Sequence, residues 1–200
     1  MSSSEPIPIP GYYFVWHARF NLDYDDEDVT PETARYHHGI YIEDPYHDRR
    51  NPDADARKPK LTIIHDVTGS LASGMEYAMR DLRKPVEECR SFSSKTFLGY
   101  TPAESHPRAW CSILGKLPAP HKQKAFNFWH MQYEQFKTLK PLRFYKRGDK
   151  SRPPLFRCAE WTEQLAIPAL RRRGLILDEE ELYLLLSGVQ LRQQRRASGG

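Results

Sequence analysis

One cysteine and one histidine, far apart in the chain, have the local settings that nucleophilic catalysis needs. Cys158 follows Arg157 at the predicted start of an amphipathic helix, where unpaired N–H groups and the positive end of the helix dipole favour a thiolate over a thiol. His37 lies far upstream, at the beginning of a predicted β-strand. A histidine beside a thiol completes the nucleophile and base of acyl-transfer chemistry. The alternative is that Cys158 is a small buried residue on the apolar stripe that it shares with Trp161.

The two-residue alternation of a strand separates His37 from its neighbour. His37 shares one face with Gly39, where the missing side chain lets another group approach, whereas His38 shares the other face with Ile40 and is expected to pack in the core. His65, on the next predicted strand, is either a satisfied core histidine or the group that holds the His37 ring in the required tautomer. The eight histidines and three cysteines show no HxH, HExxH or CxxC spacing, so neither a metal nor another cofactor is expected.

The elements that must position these groups can be predicted from periodicity. Strands are predicted in four segments, 12–20, 36–42, 61–67 and 92–100. Residues 121–136 are predicted to be helical, because their key side chains are spaced in threes and fours. The helix that begins at Cys158 is expected to bend or divide at Pro168. Together these elements predict an α+β fold, in which an antiparallel sheet carrying His37 and His65 packs on the helices.

Length and composition predict one catalytic domain over residues 12–190, after a flexible Pro-rich lead-in (1–11) and before a basic flexible tail (191–200). No apolar run is long enough to span a membrane, and the first residues do not resemble a secretory signal. The three widely spaced cysteines fit a reducing compartment. We therefore expect a cytoplasmic protein without a membrane partner.

Positive charge is concentrated near the C-terminus, where residues 143–200 hold 12 Lys and Arg against 7 Asp and Glu. Such an end either attracts a phosphate-rich partner or forms an ordinary solvated surface.

Both candidate segments resemble one known superfamily. Residues 37–42, which read His-His-Gly-Ile-Tyr-Ile, resemble the His-x-[Gly/Ala]-Ile-[Tyr/Phe] strand of the circularly permuted papain-like (NlpC/P60-type) proteins, in which histidine precedes cysteine. Residues 157–162 resemble the cysteine helix. Relatives of the lecithin-retinol-acyltransferase type add a histidine on the next strand, and His65 matches that place after a longer interval. The resemblance implies a permuted papain-like fold with Cys158 as nucleophile and His37 as base.

Four segments (35–45, 63–69, 118–129 and 157–175) also resemble a group of small fungal proteins, some of which are arginine-containing cyclodipeptide synthases of secondary metabolism. This resemblance implies that the chain joins arginine to a second amino acid as a diketopiperazine. The implied partners are arginyl-tRNA and a second aminoacyl-tRNA. No ATP is needed, and the sequence has no GxxxxGK[ST] phosphate-binding loop.

An arginine-selective pocket requires a carboxylate that accepts the planar guanidinium. Glu163 and Asp66 are favoured for this role over Glu160 and Asp44. The tRNA phosphates are expected on the arginine trio Arg171, Arg172 and Arg173. Two other functions stay open: a Cys-His amidase, thioesterase or acyltransferase on peptides or lipids, and a non-enzymatic binding module with a buried thiol.

Overall fold

The computed structural model of the chain describes residues 5–22, 36–46 and 62–197, with side chains up to residue 188. Its strands are β1 Tyr12–Asn21, β2 Tyr36–Glu43, β3 Thr62–Ser70, β4 Gly74–Asp81, β5 Phe92–Pro102, β6 Lys124–Asn127, β7 Gln132–Leu139 and β8 Leu142–Phe144. Its α-helices are α1 Arg108–Leu114, α2 Cys158–Glu160, α3 Ile167–Arg172 and α4 Glu179–Ala197. The side chains of the predicted basic tail lie outside the described residues.

Five strands form the main sheet in the order β4-β3-β2-β1-β5, with every neighbouring pair antiparallel. The first strand therefore lies inside the sheet, between β2 and β5. A second antiparallel sheet has the order β6-β7-β8. Antiparallel sheets with a few helices make the fold α+β, as predicted. Among the described residues, no helix is long and apolar enough to cross a membrane.

The predicted helix over 121–136 is wrong, because most of that segment forms the hairpin of β6 and β7. Phe126 pairs with Tyr133 across the two strands, and their rings lie 5.4 Å apart. The connecting turn places Met131 at φ 54°, which a helix does not allow. Cross-strand packing and turn geometry therefore override a residue spacing that suits a helix.

One face of the main sheet packs on a helix that we call the Cys158 helix. It consists of α2, a π-helical stretch Trp161–Ala166, and α3. Pro168 lies at the start of α3, where the hydrogen-bond spacing returns from π to α; the helix changes its spacing there but continues without the predicted break. Trp161 and Leu170, both fully buried, belong to one core cluster with Ile40 of the sheet. This packing fixes the helix start against β2.

The opposite face of the same sheet is covered as well. Ala18, Tyr41 and Ile64 form a second core cluster with Val86, which lies in the short 3-10 helix Val86–Glu88. Consecutive residues of β2 therefore point into two separate buried environments.

Candidate active site

The thiol of Cys158 lies where two strands of the main sheet diverge. The pairing of β2 with β3 ends at Gly39 and Asp66. The residues of β2 that precede Gly39 contact the Cys158 helix instead of β3. The Cys158 sulfur lies 3.9 Å from the Tyr36 carbonyl oxygen, and the Thr162 hydroxyl donates to the His38 carbonyl at 3.5 Å. The start of the helix therefore meets the start of β2.

His37 links the thiol to a buried carboxylate. Its Nε2 lies 2.8 Å from Asp66 Oδ2, and the Cys158 thiol is near enough to raise the pKa of the same ring. Burial lowers the pKa of His37, but hydrogen bonds to Asp66 and Cys158 and the charges of both groups outweigh burial and raise it to about 9. At neutral pH the ring therefore carries a proton beside the sulfur. A cationic imidazole next to a thiol is the setting that favours the thiolate.

Asp66 is fully buried and is held from two sides. His37 contacts it from β2, and Arg80 of β4 binds it in a bidentate ion pair whose Nε–Oδ1 distance is 3.4 Å. Gly39 makes room for this arrangement, because a Cβ at that position would lie 2.7 Å from the Ile64 side chain and 3.3 Å from Asp66 Cβ. Three antiparallel strands thus place the carboxylate behind the His37 ring.

The prediction that His65 orients His37 is wrong. In the sheet, His65 pairs with Ile40 and Asp66 pairs with Gly39, so the two consecutive residues of β3 point to opposite faces. His65 instead contacts the Tyr77 hydroxyl at 2.8 Å and His106 at 2.9 Å. Burial, and then the charge of His106, lower the pKa of His65 to about 3, so it is a neutral core histidine at physiological pH.

Three of the four carboxylates predicted for substrate binding have other partners or another location. Asp66 is committed to His37 and Arg80. Asp44 follows the far end of β2, about seven residues and roughly 23 Å along the strand from His37, so it cannot line the same site. Glu160 accepts a hydrogen bond from the Arg157 backbone N–H at 2.8 Å and caps the helix. Glu163 is half-exposed and lies on the same helix as the thiol.

A second histidine pair occupies the helix-facing side of β1 and β2. His38 is buried, as predicted, but its Nδ1 lies 3.0 Å from Nε2 of His17, which the sequence analysis did not single out. Burial is the main reason that the pKa of each ring falls to about 4. Glu163 lies beside both rings, and a cavity of about 300 Å³ opens there, lined also by Arg19 and Glu160. His17 pairs with Ile40 across the two strands, and His38 lies two residues from Ile40 on the same face, so the two histidine rings can contact each other.

The His37 side has a cavity of its own. It measures about 290 Å³ and is lined by His37, Arg80 and Phe20, among others. The two cavities lie on opposite faces of β2, one beside each of its two histidines.

Two exposed surfaces carry the positive charge. Arg171, Arg172 and Arg173 are exposed at the end of α3, where they also compensate the helix dipole, and Arg171 donates to the Leu98 carbonyl at 3.1 Å. The second sheet and the loop that follows it carry six exposed cations, namely Lys137, Lys140, Arg143, Lys146, Arg147 and Lys150. Its β6–β7 turn exposes Phe128 and Trp129, at 78% and 91% of their full surface. The sequence does not indicate this surface, because the residue spacing of 121–136 suits a helix and not the hairpin that forms.

A cysteine at a helix start, a histidine near enough for its pKa to be raised by that cysteine, and a buried carboxylate bonded to the histidine form the set of groups found where a cysteine acts as nucleophile. The chain belongs to DUF6540, a family of unknown function, which it matches over residues 26–177. No curated protein and no solved structure matches it.

Proposed function

We propose that the protein is an acyltransferase in which Cys158 is the nucleophile, His37 the acid and base, and Asp66 the group that orients His37. The observation that carries this proposal is the hydrogen bond of His37 to the buried Asp66, together with the Cys158 thiol, which is near enough to raise the pKa of the same ring. Asp66 is an anion that cannot reach water, so it stabilises the protonated ring and fixes its orientation.

The first chemical step uses the proton on His37. The thiolate of Cys158 attacks the carbonyl carbon of an aminoacyl ester, and the C–O bond to the ribose of the tRNA breaks. The departing ribose oxygen takes the proton from His37, which leaves a neutral imidazole and an aminoacyl thioester. A thioester is a suitable intermediate because it reacts readily with amines.

The second step returns that proton to His37. The free α-amine of a second aminoacyl-tRNA attacks the thioester carbon, the C–S bond breaks, and the amine proton passes to the neutral ring. The Cys158 thiolate is thereby restored. The α-amine of the resulting dipeptide then attacks its own ester, closes the diketopiperazine ring and releases the second tRNA.

The assignment of aminoacyl-tRNAs as substrates rests on the resemblance to arginine-containing cyclodipeptide synthases, and two features of the surface agree with it. Exposed aromatic side chains beside exposed cations are the combination that binds single-stranded nucleic acid, because bases stack on the rings and phosphates pair with the charges. Phe128 and Trp129 are exposed at the β6–β7 turn, and the six exposed cations lie on the rest of the second sheet and in the loop that follows it. The trio Arg171–Arg173 adds a second patch.

Two aminoacyl groups must meet at one thiol, and two cavities flank the start of β2. We assign the arginine side chain to the cavity beside Ala159, where Glu160 and Glu163 supply carboxylates. The second amino acid would then approach through the cavity beside His37. This division places the substrates on opposite sides of the strand.

We further propose that the fold is of the permuted papain-like type. Its support is the chain order, in which the strand histidine precedes the helix cysteine, together with the packing of the helix start on that strand. The group on the next strand that contacts His37 is the carboxylate of Asp66, whereas the family resemblance points to the histidine at position 65.

The test is to incubate the purified chain with arginyl-tRNA and a mixture of other charged tRNAs, and to search for a cyclic dipeptide by mass spectrometry. We expect a product that disappears with ribonuclease and in Cys158→Ala, but not in the matched control Cys111→Ala. Product from free amino acids that resists ribonuclease would remove tRNA and favour an amidase or acyltransferase. A thiol that fails to react with any acyl donor or alkylating agent would favour a binding module.

The contribution to tRNA binding of the second sheet and the loop that follows it can be measured separately. Trp129→Ala and Lys146→Gln should weaken the use of aminoacyl-tRNA, and the lysine variant should also reduce the salt dependence of binding, because each phosphate contact releases counterions. Reaction of Cys158 with a small alkylating agent should be unchanged in both variants. Unchanged tRNA use would restrict the tRNA surface to the arginine trio.

A further inference from the structure

We propose that His17, His38 and Glu163 form a binding site for a divalent transition metal ion, with Zn²⁺ as the best-fitting candidate. The three residues come from β1, β2 and the Cys158 helix, so no spacing in the sequence indicates them. Two imidazole nitrogens and one carboxylate oxygen are a common donor set for zinc.

The geometry of the three donor atoms suits one ion. His17 Nε2 and His38 Nδ1 lie 3.0 Å apart, and Glu163 Oε1 lies 3.4 Å from His38 Nδ1 and 3.9 Å from His17 Nε2. A point equidistant from these three atoms is about 2.0 Å from each, the distance that zinc keeps from nitrogen and oxygen ligands. No movement of the backbone is needed to bring the ligands together.

The protonation of the two rings is favourable for a metal. Metal ligands must be unprotonated on the coordinating atom. Because His17 Nε2 and His38 Nδ1 face each other at 3.0 Å in one hydrogen bond, at least one of these two nitrogens is already unprotonated. One proton lies between the rings in their mutual hydrogen bond. When an ion takes that place, the proton moves to the other nitrogen of the same ring, so binding need not release it.

Charges around the site have both signs. Glu163 and Glu160 line the adjoining cavity and attract a cation, whereas Arg19 lines the same cavity and repels one. Three protein ligands leave a fourth coordination position of the ion open, and the cavity lies beside it. The site therefore resembles zinc sites that accept a ligand more than closed structural ones.

Zinc and the guanidinium of a substrate would compete for Glu163. The binding measurement below uses the protein alone, without any tRNA. Its failure would therefore leave the proposed acyl transfer untouched, and absence of acyl transfer would leave the metal site untouched.

The experiment is a titration of the chelator-treated full-length chain with ZnCl₂ by calorimetry, repeated with CoCl₂ while the visible absorption is recorded. We expect one ion per chain, a melting temperature that rises with Zn²⁺ concentration, and a cobalt spectrum typical of nitrogen and oxygen ligands without sulfur. Glu163→Gln changes a half-exposed side chain, so it should fold, and it should weaken zinc binding at least tenfold. Arg19→Met removes the repelling charge and should strengthen binding.

Two controls exclude other ligands. Cys158→Ala should keep the site, because the thiol is not among the three ligands. His106→Ala should also keep it. His106 belongs to the second buried histidine pair, in which its Nε2 lies 2.9 Å from Nε2 of His65. In the described part of the chain, no carboxylate completes a set of three metal ligands with that pair.

Three results would overturn the proposal. The first is zinc binding that is equally weak in the wild type and in Glu163→Gln. The second is binding that is lost in Cys158→Ala, accompanied by a sulfur-to-cobalt charge-transfer band. The third is weaker binding in Arg19→Met than in the wild type, since removal of a cation should have the opposite effect at this site.

Discussion

His37 and His38 are neighbours on one strand, yet the protein treats them in opposite ways. His37 faces Asp66 and Cys158, and its pKa rises to about 9. His38 faces His17 and the nearby charge of Arg19, and its pKa falls to about 4, mainly through burial. Both rings are largely buried, so burial alone does not decide the outcome.

The difference lies in the partner that each face supplies. A fully buried anion in contact with an imidazole stabilises its charged form. His38 has a second imidazole and a nearby guanidinium, and the half-exposed Glu163 carboxylate at 3.4 Å does not offset its burial. Because β2 is covered on both faces, the side-chain alternation of this one strand gives the adjacent residues His37 and His38 different surroundings. His37 is therefore protonated at neutral pH, and His38 is neutral. The predictions that follow either strengthen this contrast or remove it.

The largest effect on product formation is expected at Cys158, the thiol that is proposed to act together with His37. Cys158→Ala should reduce product formation by roughly 10⁴-fold or more, because the covalent route is lost. Turnover is measured as cyclic dipeptide per minute, with Cys111→Ala as the folded control. A variant that keeps more than about a tenth of wild-type turnover would exclude Cys158 as the nucleophile.

The two histidines should separate activity from stability. His37→Ala should lower turnover by about 10³-fold, and its stability loss should be the smaller of the two, because Asp66 keeps its ion pair with Arg80. His38→Ala should lower the free energy of unfolding by about 1–3 kcal/mol, because it leaves a cavity and removes the partner of His17. Urea unfolding and turnover are measured on both variants, and exchanged outcomes would reverse the functional assignment of the two faces.

The neighbouring residues of β3 offer the same contrast. Asp66→Asn keeps the shape but removes the charge, and it should lower turnover by roughly a hundredfold or more while the pKa of His37 falls. The pKa is followed by NMR titration of the ring. His65→Gln is the matched control, because its side chain points to the other face; it should change stability and leave the pKa of His37 near its wild-type value.

The smallest effect is on the pH dependence of stability. The pKa values of His65 and His106 fall to about 3 and about 4, mainly through burial, below the 6.5 of an unfolded chain. Their contribution to stability is therefore complete above pH 6.5 and is lost as the pH falls towards 4 and 3. The raised pKa of His37 has the opposite sign: its contribution is complete below pH 6.5 and is lost as the pH rises through about 9.

Urea unfolding between pH 4 and 9, in the presence of a chelator, measures how the free energy of unfolding falls on the acid flank and on the alkaline flank of the curve. The acid flank should fall by at most about 1.4 kcal/mol per pH unit for each titrating histidine, and it should be less steep in His106→Phe. Asp66, Tyr77 and Cys111 lie around this pair, and the hydroxyl of Tyr77 bonds to both His65 and Cys111. A curve that is flat between pH 6.5 and 4.5 would contradict the buried neutral pair.

The sequence predicted the elements whose local pattern is decisive. Strand alternation placed His37 and His38 on the correct faces, and the apolar stripe after Cys158 indicated the helix. It did not predict Asp66 as the partner of His37, because the family pattern pointed to position 65 and the sheet register decides which of two consecutive residues faces the ring. The contact of His17 with His38 depends on the pairing of β1 with β2, which no local spacing encodes.

The place of β1 inside the main sheet has a practical consequence for how the chain can be shortened. The matched family region begins at residue 26, after β1, although β1 joins β2 to β5. A truncated version that begins there would expose the edges of β2 and β5 that pair with β1 in the intact chain. Unpaired strand edges recruit other chains, so such a fragment should form aggregates on expression rather than a smaller folded protein. A fragment that begins before Tyr12 keeps the sheet closed at its centre.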